Sequence, residues 1–118
     1  VSVAGALSQE MVQSMNKDAM IFAMANPTPE IMPELAYQAG AKIVATGRSD
    51  YPNQLNNVLV FPGVFAGAFQ NKVSQITDDM KIQAALNLAN HVKNPTADKI
   101  IPSPFDEGVV EAIKDAIR

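Results

Sequence analysis

The chain has 118 residues, a formal net charge of −3, a pI near 4.9, 47% hydrophobic residues and no Cys. The length fits one domain with one core, and the acidic balance argues against a nucleic-acid partner, which needs clustered Lys and Arg. Without Cys there are no disulfides, thiolate metal sites or Cys nucleophiles. No apolar run approaches the ~20 residues of a membrane helix, and no basic stretch leads an apolar one as in a signal peptide, so a cytoplasmic protein without a membrane partner is expected.

In chain order, Val1–Ala4 reads as the end of a strand, with Gly5 in its exit loop. A strand-like run at residue 1 without Met is expected of a fragment. Ser8 reads as the N-cap of a short amphipathic helix, Ser8–Asn16, with Glu10 in its first turn. The run Ala19–Ala23 is apolar without alternation, which predicts a strand buried on both faces, as in a parallel sheet. Asn26-Pro27-Thr28-Pro29-Glu30 stops it. Glu30–Ala39 predicts a helix ending at Gly40, and Lys42–Ala45 the next strand, ending at Thr46-Gly47. Strand and helix alternating over short connections indicate parallel βαβ units.

The second half turns helical. Asn57–Asn71 is apolar and rich in small residues, and Pro62 should kink it or open a fresh first turn. Thr77 with Asp78 and Asp79 starts another helix, with Ile82, Ala85, Leu86, Ala89 and Val92 as its expected buried face. Asn94-Pro95 ends it, Ile100–Phe105 is extended, and Asp106–Arg118 is a final helix. The six Met residues read as core filler. The fold class expected is α/β: a partial Rossmann-like, doubly wound parallel sheet with a helical carboxyl-terminal half.

Ligands of open α/β sheets bind outside the carboxyl ends of the strands. Gly5, Asn26 and the loop after Gly47 all fall at such ends. The Asn26 amide offers donors and acceptors, suited to a carboxamide or hydroxy acid; the alternative is an Asx turn before Pro27. The stretch Gly47–Gly63 carries Arg48, Asp50, Asn53, Gln54, Asn56 and Asn57 into an apolar run. It reads as a loop delivering polar groups to a helix start, where Asn56 and Asn57 face a small anion; the alternative is that one Asn is an N-cap. Arg48 either binds an anion or pairs with Asp50 in the loop. Asp50 lacks the further oxygen ligands a hard cation needs. His91 has no partner in sequence and reads as a surface or satisfied His. No GxGxxG turn, paired carboxylates or Ser–His–Asp set is present.

The segments IFAMANPTPEIMP, TGRSDYPNQLNNVLVFPGVFAGAF and IIPSPFD, preceded by VSVAGALSQEMVQSM, resemble the carboxyl-terminal part of the NAD(P)-binding domain of bacterial-type malic enzymes, over essentially the whole chain. The resemblance implies oxidative decarboxylation of malate to pyruvate and CO₂ with NAD or NADP and Mg²⁺ or Mn²⁺. By this resemblance Asn26 is a cofactor and substrate contact, Gly5 belongs to a cofactor-side loop, and Asn57 with its neighbour Asn56 contacts the malate carboxylate. A homo-oligomer is also expected. The family's catalytic Tyr and Lys, carboxylate metal ligands and Gly-rich cofactor turn have no match in residues 1–118. The chain is therefore expected to be a fragment, working with the remainder of the polypeptide and inactive alone. The other reading is a non-catalytic association or small-carboxylate binding module.

Overall fold

A computed structural model describes residues 3–118. The chain divides into two compact units. One runs to Leu55 and includes Thr96–Lys99; the other comprises Asn56–Pro95 and Ile100–Arg118.

The first unit contains α1 (Gln9–Gln13), β1 (Met20–Ala23), α2 (Pro33–Gln38) and β2 (Ile43–Thr46). β1 and β2 pair in parallel, from Met20 opposite Ile43 to Ala23 opposite Thr46. A parallel pair needs a crossover, and α2 supplies it, packing on β2 and on α1. The core collects Val12, Ile21, Ala23, Ile31, Ala36, Ala39, Ala41 and Val44. Ser8 caps α1, its hydroxyl accepting from the Met11 N–H at 3.3 Å. Gly40 closes α2 at φ 103°, a conformation favoured by the absence of a Cβ.

Four expectations change here. Of the expected first strand, Val1 and Ser2 lie outside the described residues, and Ala4-Gly5 is a turn. β1 is covered on one face only: Ile21 and Ala23 are buried, whereas Met20 and Phe22 are 57% and 48% exposed. Met11, Met15 and Met24 are also exposed, so four of the six Met residues are not core filler. α2 begins at Pro33, not Glu30, because Pro at the first turn fixes the start. Glu30 is instead buried, and its carboxylate accepts from the Ala25 N–H at 3.0 Å.

The second unit is helical: a 3₁₀ turn at Asn57–Leu59, α3 (Phe61–Asn71), α4 (Asp78–His91) and α5 (Val109–Lys114). Pro62 sits in the first turn of α3, so it opens a fresh helix and does not kink a longer one. α3 packs closely on α5 because Gly63 and Gly67 lack side chains. A Cβ at Gly63 would fall 2.5 Å from Ile113 Cβ, and one at Gly67 2.7 Å from Ile117 Cβ. Leu59, Ala84, Leu88, Val109, Ile113 and Ala116 form the core.

Thr77 caps α4 through the Met80 N–H, and Asp78 pairs with Lys81 at 2.8 Å. The buried face of α4 is not the expected one. Ala84 and Leu88 are buried, while Ile82 and Leu86 are 59% and 50% exposed. Contact with α5 fixes this rotation: Asn87 Nδ2 donates to the Ala112 carbonyl at 2.8 Å, which turns the Ile82–Leu86 stripe outward. The last helix starts at Val109, after Gly108 at φ 84°. Among the described residues no helix is long and apolar enough to cross a membrane.

Candidate functional site

The parallel register brings the carboxyl ends of β1 and β2 side by side, with Ala23 opposite Thr46. Asn26 lies three residues beyond the first end and Gly47 one residue beyond the second. They meet: a Cβ on Gly47 would lie 2.5 Å from Asn26 Oδ1 and 3.1 Å from its Cγ and Nδ2. Asn26 is exposed, and among the described residues its amide has no hydrogen-bond partner. The peptide bond to Pro27 is cis.

The turn carrying Asn26 is tied down at both ends. Glu30 closes it onto Ala25. Gly5, at φ 72°, donates its N–H to the Pro29 carbonyl at 3.2 Å, and Leu7 donates to the Glu30 carbonyl at 3.1 Å. Gly5 and Asn26 are thus stitched into one strand-end cluster. Glu30 is the member that sequence reasoning missed. An acid after Asn-Pro-Thr-Pro reads as a helix start, and only the fold shows it turned back onto the Ala25 N–H.

The loop after Gly47 is also fixed. Asn53 is buried at φ 57° and donates from Nδ2 to the carbonyls of Val44 (3.2 Å) and Ala97 (2.7 Å). Leu55 N–H donates to the Thr46 carbonyl at 2.7 Å. Arg48 and Asp50 form the local pair, two bonds of 2.9 and 2.7 Å, which holds the Asp50 carboxyl below its ordinary range. The Arg48 guanidinium lies 5.5 Å from the centroid of the Tyr51 ring. Tyr51 Oη donates to Glu34 Oε1 at 2.6 Å. That bond lowers the Glu34 pKa and raises that of Tyr51.

Asn56 and Asn57 belong to the second unit. Asn56 is the N-cap of the 3₁₀ turn, its Oδ1 accepting from the Val58 N–H at 3.0 Å. Asn57 is the first residue of that turn and exposed, and among the described residues its side chain has no hydrogen-bond partner. A three-residue turn carries little helix dipole, so the anion site expected at a helix start would have only the amide side chains to rest on. His91 is half-buried with its Cε1 3.4 Å from where a Cβ on Gly108 would stand.

The donor set at the strand ends fits a nicotinamide cofactor: an exposed amide with donors and an acceptor at the carboxyl edge of a parallel pair. It does not fit a divalent cation. Among the described residues no three of His, Cys, Asp and Glu gather into a metal-holding group.

The sequence matches the family described as malic enzyme, NAD binding domain, over residues 1–112. The chain belongs to the malic enzyme NAD-binding-domain family. It is 57% identical to a bifunctional malic/malolactic enzyme of Bacillus subtilis, over 99% of this chain and 29% of that protein. It is 48% identical to an NADP-dependent malic enzyme of Rhizobium meliloti, over 99% of this chain and 18% of the relative. Among solved structures, an NAD-dependent malic enzyme of Thermotoga maritima superposes with a TM-score of 0.93 at 46% identity, over 99% of this chain and 30% of the other. The chain thus spans less than a third of the malic enzymes it matches. The Rossmann-type α/β class expected from the sequence is borne out by this likeness and by the parallel β1–β2 pair.

Proposed function

We propose that the protein carrying this chain converts malate to pyruvate and CO₂ by oxidative decarboxylation with NAD or NADP, and that these 118 residues supply cofactor and substrate contacts. The observation that carries the reading is the exposed Asn26 amide on Gly47 at the carboxyl ends of β1 and β2. A nicotinamide cofactor, when bound, accepts the hydride that leaves C2 of malate. Asn26 orients that cofactor and the substrate through its amide, and Gly5 holds the adjoining loop against the same turn. Asn57 donates to the malate carboxylate. Asn56 caps the turn through Oδ1 and leaves Nδ2 to the substrate. The Mg²⁺ or Mn²⁺ implied by the family resemblance would be held by residues outside this chain. The intact protein is expected to be a cytoplasmic homo-oligomer.

The test is malate-dependent reduction of NAD⁺ or NADP⁺ by the intact protein in Mn²⁺, with pyruvate measured as product. Asn57→Ala is expected to raise the KM for malate by roughly 10- to 100-fold, the worth of a hydrogen bond to a charged group. An unchanged KM removes Asn57 from the substrate site.

A further inference from the structure

We infer that Gly47 is a positioning residue: its missing side chain sets the orientation of the Asn26 amide. The inference rests on the reading of Asn26 as a cofactor and substrate contact. Glycine is often required for a backbone angle, but Gly47 is not among the residues with positive φ, unlike Gly5, Gly40 and Gly108. Alanine can therefore adopt its backbone conformation. What it cannot share is space. The three atoms nearest to an added Cβ all belong to one side chain: Asn26 Oδ1 at 2.5 Å, with Cγ and Nδ2 at 3.1 Å. Asn26 is exposed, so its amide can swing into solvent at little cost to the fold. The turn beneath it cannot follow, since Glu30 fixes Ala25 and the carbonyls of Pro29 and Glu30 hold the N–H groups of Gly5 and Leu7. Gly47→Ala should then leave stability intact and move one functional amide by about an ångström, a misplacement that can cost on the order of 10²-fold in rate.

A double-variant cycle in the intact protein tests this, with kcat, KM and Tm measured for Gly47→Ala, Asn26→Ala and the pair. The expected result is a loss in kcat/KM on the order of 10²-fold for Gly47→Ala, with Tm held within about 2 °C. In the Asn26→Ala background, where the obstructing atoms are gone, the same substitution should change kcat/KM by less than about twofold. Equal losses in both backgrounds overturn the inference, and so does full activity of Gly47→Ala where Asn26→Ala itself loses activity. A crystal structure of the Gly47→Ala variant separates the two layers: the Asn26 amide should be rotated away, and an amide left in place overturns the inference whatever the kinetics. If the amide rotates but Asn26→Ala keeps full activity, Gly47 does set the amide, and the functional reading of Asn26 fails.

Discussion

Asn53 reaches from its buried side chain to two carbonyls far apart in the chain, Val44 at 3.2 Å and Ala97 at 2.7 Å. One amide thereby ties the loop after β2 to the strand and to Thr96–Lys99. Removing it strands two acceptors, at about 1–3 kcal/mol. Asn53→Ala should raise native-state hydrogen exchange at the Leu55 N–H, which bonds to Thr46, by roughly 10- to 100-fold. Unchanged exchange at Leu55 means the loop is held by something else.

Tyr51 and Glu34 predict a pH window. Glu34 titrates below its ordinary 4.5 because Tyr51 donates to it. Its contribution is therefore present above 4.5 and is lost as pH falls through the lowered value. Tyr51 titrates above its ordinary 10.0, so its contribution is present below 10.0 and is lost as pH rises through the raised value. The contact holds across the interval between. In a spectrophotometric titration, Glu34→Gln should bring the Tyr51 ionisation back to lower pH; no movement would show that Glu34 does not perturb the phenol.

The α3–α5 contact depends on two glycines one helical turn apart. A Cβ at Gly63 meets Ile113 Cβ at 2.5 Å and the Val110 carbonyl at 2.8 Å, neither at the tip of a flexible chain. Overpacking of this kind costs about 1–3 kcal/mol. Thermal unfolding of Gly63→Ala should show that loss, in contrast to Gly47→Ala, whose neighbour can move. Equal Tm values for the two variants contradict the packing account.

Much of this was legible in the sequence. The runs AMIFA and KIVA, stopped by Asn-Pro and Thr-Gly, reveal the strands and the ends that bear Asn26 and Gly47. Ser8 and Thr77 are readable as caps because capping is local chemistry. Glu30 and Asn53 were not legible as buried groups, since burial of a polar side chain depends on partners that the fold supplies. The face of α4 was not legible because two apolar stripes share that helix. Periodicity cannot choose between Ile82–Leu86 and Ala84–Leu88; the bond from Asn87 to Ala112 makes the choice. The exposure of Met20 and Phe22 likewise depends on what covers β1, which composition does not contain.

Those outward residues bear on the 118-residue chain in isolation. Met20 and Phe22 on β1, and Phe61, Phe65 and Phe69 on α3, are all exposed. Apolar faces and open strand edges of this kind drive association. Light scattering of the isolated chain should report self-association. A monodisperse monomer at tens of micromolar, the order of concentration at which such species aggregate, would argue against it.

The central claim is that an amide at the strand ends serves a malate-oxidising reaction. The most direct measurement is malate-dependent reduction of NAD⁺ or NADP⁺ by the intact protein, compared with its Asn26→Ala variant. The account predicts that the wild type produces pyruvate, and that the variant loses kcat/KM on the order of 10²-fold without loss of Tm. A wild-type protein that reduces neither cofactor with malate, or a variant with full kcat/KM, would contradict it.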